Sequence, residues 1–170
     1  MTVPANRRPL PRTVVCNTGP ILALSRVDGL SLIEKVLPSL VIPPAVRDEL
    51  RDGLGTDERR LAVWLERARI QAPAVAPDAF LAAELDSGEA AVIALAREIG
   101  AGVVMDERKG RRVAVMAYGL HVVGTGRILL EAKERGMIGQ VRPLVEQMQD
   151  AGYYFSMRLK ERLFQEAGEA

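Results

Sequence analysis

The stretch Thr13-Val14-Val15-Cys16-Asn17-Thr18-Gly19-Pro20-Ile21-Leu22 decides the fold class. A β-branched run stops at Asn-Thr-Gly-Pro and an apolar run follows, which reads as a short buried strand passing into a helix. The same grammar recurs downstream. Val103-Val104-Met105 runs into Asp106 and a charged helical segment over 107–118, and His121-Val122-Val123 runs into Gly124-Thr125-Gly126 and a helix over 127–135. Leu40-Val41-Ile42 supplies another strand, stopped by Pro43-Pro44, and Pro44 suits the first position of a helix over 45–51.

Helical segments fill the intervals. Short ones over 21–26 and 30–37 flank Asp28-Gly29, and one over 57–68 places Leu61, Trp64, Leu65 and Ala68 on a single face. A minor strand is expected at 70–72, then a helix over 78–84, a turn at Asp86-Ser87-Gly88 and a strong helix over 89–99. Helices alternating with short buried strands predict an α/β, three-layer, Rossmann-like fold, a short parallel sheet flanked by helices. Ligands of such sheets sit beyond the carboxyl ends of the strands. Functional residues are therefore expected just after Cys16, Ile42, Met105 and Val123.

The chain has 170 residues, enough for one domain with a sizeable core. Residues 1–12 carry Arg7, Arg8 and Arg12 among Pro4, Pro9 and Pro11, and read as a flexible lead-in to a single domain over 13–170. The formal net charge of +1 excludes a global cationic field, so nucleic acid would have to meet a local patch. One cysteine, Cys16, excludes a disulfide framework, and one histidine, His121, excludes a histidine-rich metal site and weighs against a Ser–His–Asp triad. No apolar run approaches the roughly 18 residues of a membrane span, and a reducing cytoplasm fits this composition.

Asn17, Glu49, Glu89 and Asp106 fall just after strand ends or on the helix starts that adjoin them. On a wheel of 100° per residue, Glu89 shares the apolar face of its helix with Val92, Ile93 and Ala96, while Glu98 points the opposite way. A carboxylate aimed inward needs compensation, and a bound cation would provide it. Asp86-Ser87-Gly88-Glu89 equally matches a capping box, with Glu89 reaching back to the cap. Glu49 lies at the edge of a buried helix face, where a solvated carboxylate is the competing reading. Asp106 ends an apolar strand, the strongest position of the four, and Glu107 beside it could share its role. Asn17 suits a local turn or cap as well as a neutral oxygen ligand.

Arg108, Lys109, Arg111 and Arg112 crowd a helix start, where the macrodipole disfavours cations unless phosphates approach; a solvated charged face is the alternative. Gly124-Thr125-Gly126 lacks the spacing of a phosphate loop, and Thr125 reads as a helix cap. Tyr153, Tyr154, Phe155 and Phe164 gather four of the seven aromatics near the C-terminus, as core closure or a partner surface.

Four segments together resemble the PIN-domain ribonuclease family: residues 14–22, residues 41–50 around Glu49, residues 88–96 around Glu89, and Asp106-Glu107-Arg108-Lys109-Gly110-Arg111-Arg112. More narrowly they resemble a prokaryotic branch near the VapC-type toxins. The resemblance implies a metal-dependent endoribonuclease using Mg²⁺ or Mn²⁺, with Asn17, Glu49, Glu89 and Asp106 catalytic. It makes Asn17, Glu89 and Asp106 the metal ligands and the basic cluster of Arg108, Lys109, Arg111 and Arg112 the RNA contact. Many relatives pair, as toxins, with a small antitoxin protein, and many form homodimers. The first acidic place is usually Asp in the wider family and is Asn17 here. That departure leaves open a catalytically weak or inactive PIN-like module that binds RNA or a protein partner. A phosphoacceptor receiver fits less well, because it needs an acidic pair where this chain has Cys16-Asn17.

Overall fold

The computed structural model describes residues 7–55 and 58–170. In chain order the elements are β1 (Val14–Cys16), α1 (Thr18–Ser25), α2 (Leu30–Val36), β2 (Leu40–Val41), α3 (Pro44–Asp52), α4 (Arg59–Arg67) and α5 (Ala79–Glu84). They continue with α6 (Ser87–Ile99), β3 (Gly102–Val104), α7 (Arg108–Met116), β4 (Val122–Val123), α8 (Thr125–Glu134), α9 (Arg142–Asp150) and α10 (Met157–Glu166). The strands form one parallel sheet in the order β2-β1-β3-β4 with helices around it, the expected three-layer α/β architecture.

Why the strands read as unbroken apolar runs is clear from burial. Val14, Val15, Cys16, Val103 and Val104 are all at most 1% exposed, as strands covered on both faces must be. One buried cluster runs from Val14 to Ala167 and includes Ile21, Leu50, Ile93, Leu129 and Phe164.

Chain order and strand order part company at β1. The chain leaves β1 for β2 on one side, whereas β3 and β4 lie on the other. That reversal opens a crevice between the carboxyl ends of β1 and β3, the place where α/β sheets bind ligands.

Element boundaries differ from expectation for local reasons. The helix expected from 21 starts at Thr18, because Pro20 falls in the first turn, where no N–H is needed. The turn expected at Asp86-Ser87-Gly88 is instead the start of α6: Asp86 caps it by accepting from Glu89 N–H at 2.8 Å. Thr125 is the first residue of α8 and not its cap, a place taken by Gly124. The minor strand at 70–72 shrinks to one parallel bridge between Ile42 and Ile70. Asp57, the expected start of α4, lies outside the described residues, as do residues 1–6 of the lead-in. Within the rest of the lead-in, Arg7 pairs with Glu134 at 2.5 Å, and a Cβ at Gly102 would overlap Pro11. Among the described residues no helix is long and apolar enough to cross a membrane.

Candidate functional site

Asn17 follows β1, and its backbone N–H bonds to the Val104 carbonyl at 2.9 Å, so β1 and β3 are joined right up to the crevice. It stands at the cap position of α1 with extended backbone, yet its side chain makes no capping bond. Its Oδ1 is buried and has no hydrogen-bond partner among the described residues. An orphaned buried acceptor costs about 1–3 kcal/mol, so the local-cap reading does not account for this side chain.

Glu49 reaches the same edge from α3. Its Oε2 accepts from Thr18 Oγ1 at 2.5 Å, and its Oε1 lies so close to Gly88 that a Cβ there would overlap it. Gly88 is thus the residue that lets this carboxylate approach the first turn of α6, where Glu89 sits.

Glu89 is only 7% exposed. Half of the capping box forms, from Glu89 N–H to Asp86. The Asp86 backbone N–H in turn favours the charged form of the Glu89 carboxylate. Burial outweighs it and pushes the Glu89 carboxyl above its ordinary range, with the charge of Asp86 next and repulsion from Glu107 and Glu49 adding to it. On its other side α7 presses close through a glycine: a Cβ at Gly110 would lie 3.0 Å from Glu89 Oε1 and would overlap the Met105 sulfur.

Asp106 is treated differently. Its Oδ1 accepts from Thr125 N–H at 2.8 Å, and its Oδ2 accepts from Thr125 Oγ1 at 2.5 Å and from the Tyr153 hydroxyl. A carboxylate offers about four lone-pair sites, so one site, on Oδ1, is left open. Burial, then the Asp106 charge, pushes the Tyr153 phenol well above its ordinary range. The same two causes raise the Cys16 thiol, a buried and therefore unreactive group. Thr125 and Tyr153 were not among the expected site residues. A signal for Thr125 existed in the strand register: Val104 pairs with Val123, so Asp106 and Thr125 each lie two residues past the last pair. Tyr153 comes from the distant segment before α10, and local sequence carried no sign of it.

The basic cluster does not act as one face. Arg111 turns inward and donates to the Met105 carbonyl at 2.7 Å, Lys109 pairs with Glu84 at 3.3 Å, and Arg108 and Arg112 are exposed. Arg111 Nη1 and Asp106 Oδ1 both lie close to Gly124, where a Cβ would be 2.9 Å from one and 3.1 Å from the other.

Two halves of the edge emerge. Glu49 and Glu89 come together at the first turn of α6, whereas Asp106 is turned toward Thr125 and Tyr153. Among the described residues no three His, Cys, Asp or Glu side chains form a group that could hold a metal ion. The donor chemistry nonetheless suits a hard cation: an unpartnered amide oxygen at Asn17, a carboxylate at Glu89 buried among like charges, and one open site on Asp106. A family model described as PIN domain matches residues 13–169, nearly the whole chain. No curated protein matches it significantly.

Proposed function

This chain belongs to the PIN-domain family, and we propose that it is a metal-dependent endoribonuclease hydrolysing RNA phosphodiesters at the carboxyl edge of its sheet. Membership of the family implies nuclease chemistry in general. The observation that carries the finer reading is Glu89, a buried carboxylate on an apolar helix face with carboxylates around it and too little protein compensation. Stability alone gives no reason for that arrangement; a cation at the edge does.

In this proposal Asn17, Glu89 and Asp106 hold Mg²⁺ or Mn²⁺, and Glu49 completes the catalytic set. The ion, when bound, supplies an activated water and neutralises charge on the phosphate. Asn17 Oδ1 and Glu89 would offer it oxygens, and Thr125 and Tyr153 hold Asp106 with one oxygen site left open. Glu49, braced by Thr18, is in this proposal the carboxylate that takes a proton. Arg108, Lys109, Arg111 and Arg112 serve phosphates, with Arg111 nearest Asp106. The proposal extends to one domain over 13–170, a prokaryotic cytoplasmic protein near the VapC-type toxins, a small antitoxin partner and a homodimer. A neighbouring open reading frame for a small DNA-binding protein would support the toxin role.

Calorimetric titration with Mn²⁺, beside cleavage of single-stranded RNA, tests the reading on wild type and Glu89→Gln. Binding and cleavage in the wild type, both lost in the variant, are expected. A second reading has its own support in the ungrouped carboxylates and in Asp106 held by three donors: a module that binds RNA or a protein partner without cutting. Neither metal binding nor cleavage in the wild type, with RNA binding retained, would favour it.

A further inference from the structure

Beside Asp106 the structure holds a cavity of about 330 Å³, lined among others by Arg111, Arg127, Tyr153, Tyr154 and Leu163. We propose that this cavity is a subsite for one nucleotide of single-stranded RNA, its base laid on Tyr154 and its phosphate met by Arg111. The proposal rests on the ribonuclease reading and adds where the strand lies as it leaves the cutting edge.

The walls are chemically unequal. Tyr153 and Phe155 are committed to the protein: their rings meet edge to face at 5.2 Å, Phe155 is buried, and the Tyr153 hydroxyl serves Asp106. Tyr154 is committed to nothing; it is 82% exposed, with no hydrogen bond or ring partner among the described residues. A large aromatic left open at the mouth of a cavity suits a planar partner.

The arginines divide the same way. Arg127 pairs with Glu131 and Arg162 with Glu166, each at 2.7 Å, and Arg7 with Glu134 and Glu166. Among the described residues Arg111 is the lining arginine without an acidic partner, and its one bond, to the Met105 carbonyl, leaves guanidinium donors for an anion. The ligand therefore needs a flat apolar face and a negative group, joined closely enough to share a cavity of this volume. A nucleotide has both, and Asp106, one residue of the proposed cutting edge, itself lines the cavity.

The test is fluorescence anisotropy with a labelled single-stranded RNA of about ten nucleotides, in EDTA so that cleavage plays no part. Tyr154→Ala should weaken binding roughly 5- to 150-fold, and Tyr154→Phe, which keeps the ring, should stay within about twofold of wild type. Unfolding temperatures should not move, since the side chain is exposed. Equal binding by wild type and Tyr154→Ala, or no RNA binding by wild type, would overturn the subsite and leave this face to a protein partner. Parallel cleavage assays with Mn²⁺ separate the two readings. A ring-dependent affinity in a protein that does not cut keeps the subsite and removes the nuclease. Cutting by wild type, with binding indifferent to Tyr154, does the reverse.

Discussion

Removing the Tyr153 hydroxyl tests whether Asp106 is held from the C-terminal side. Tyr153→Phe keeps the ring and its edge-to-face contact with Phe155 at 5.2 Å, and deletes only the donor to Asp106 Oδ2. Hydrogen bonds to charged groups contribute about 1.5–3 kcal/mol. Thr125 continues to supply two donors to the same carboxylate, so the lower end applies, about 1.5 kcal/mol. For a domain of this size that is a fall in Tm of about 3–6 °C.

Thermal unfolding followed by circular dichroism at neutral pH, in EDTA, measures it. A double-mutant cycle with Asp106→Asn then isolates the charge-assisted part, expected at about 1 kcal/mol. Additivity of the two substitutions within about 0.3–0.5 kcal/mol would refute the bond as a determinant of Asp106's position. The alkaline limb is a second check. Folding raises the Tyr153 phenol pKa, so the unfolded chain loses its proton first. Its contribution is present below the ordinary tyrosine range and is lost as pH climbs above it. The variant should lack that decline.

Three further outcomes are expected. Gly110→Ala should destabilise by about 1–3 kcal/mol in chemical denaturation, because the new methyl meets the Met105 sulfur and Glu89 Oε1 together. Glu89→Gln should stabilise the metal-free protein at neutral pH: folding raises this carboxyl's pKa, so its penalty is absent at low pH and grows as pH rises from the ordinary carboxylate range through the folded value. Unfolding curves of wild type and variant should converge in acid and separate above it. Asn17→Asp should tighten Mn²⁺ binding by calorimetry on the order of tenfold while lowering the metal-free Tm, since it adds a charge to the edge.

The sheet was legible because its two central strands, β1 and β3, are buried throughout and run into a polar residue: Val15-Cys16 stops at Asn17, and Val104-Met105 at Asp106. Helix starts were less legible. Asp86 and Gly124 cap three residues before the expected starts at 89 and 127, so α6 and α8 each begin two residues earlier than the apolar pattern suggests. Glu89's inward aim followed from helical period alone, since period fixes direction. The direction of Asp106 did not, because its partners come from other segments. Thr125 is set by the β3–β4 register and Tyr153 by the packing of the C-terminal helices, and neither relation is written in the residues around Asp106. The basic cluster divides for the same reason: Arg111 has an inward acceptor in the Met105 carbonyl and Lys109 pairs with Glu84, while Arg108 and Arg112 are exposed.

Asn17 acquires a physical sense from this division of the edge. On the Asp106 side three neutral donors solvate one carboxylate. On the Glu89 side Asp86, Glu107 and Glu49 all repel a carboxylate that is already desolvated. A further aspartate at position 17 would add its charge to this edge and burden the metal-free fold. An amide keeps an oxygen there without the charge, and its Oδ1 is buried with no partner among the described residues. A buried acceptor is normally satisfied by the fold itself. One without such a partner among the described residues, at the crevice between β1 and β3 and on the same sheet edge as Glu89, is the oxygen that the proposed ligand role of Asn17 would use.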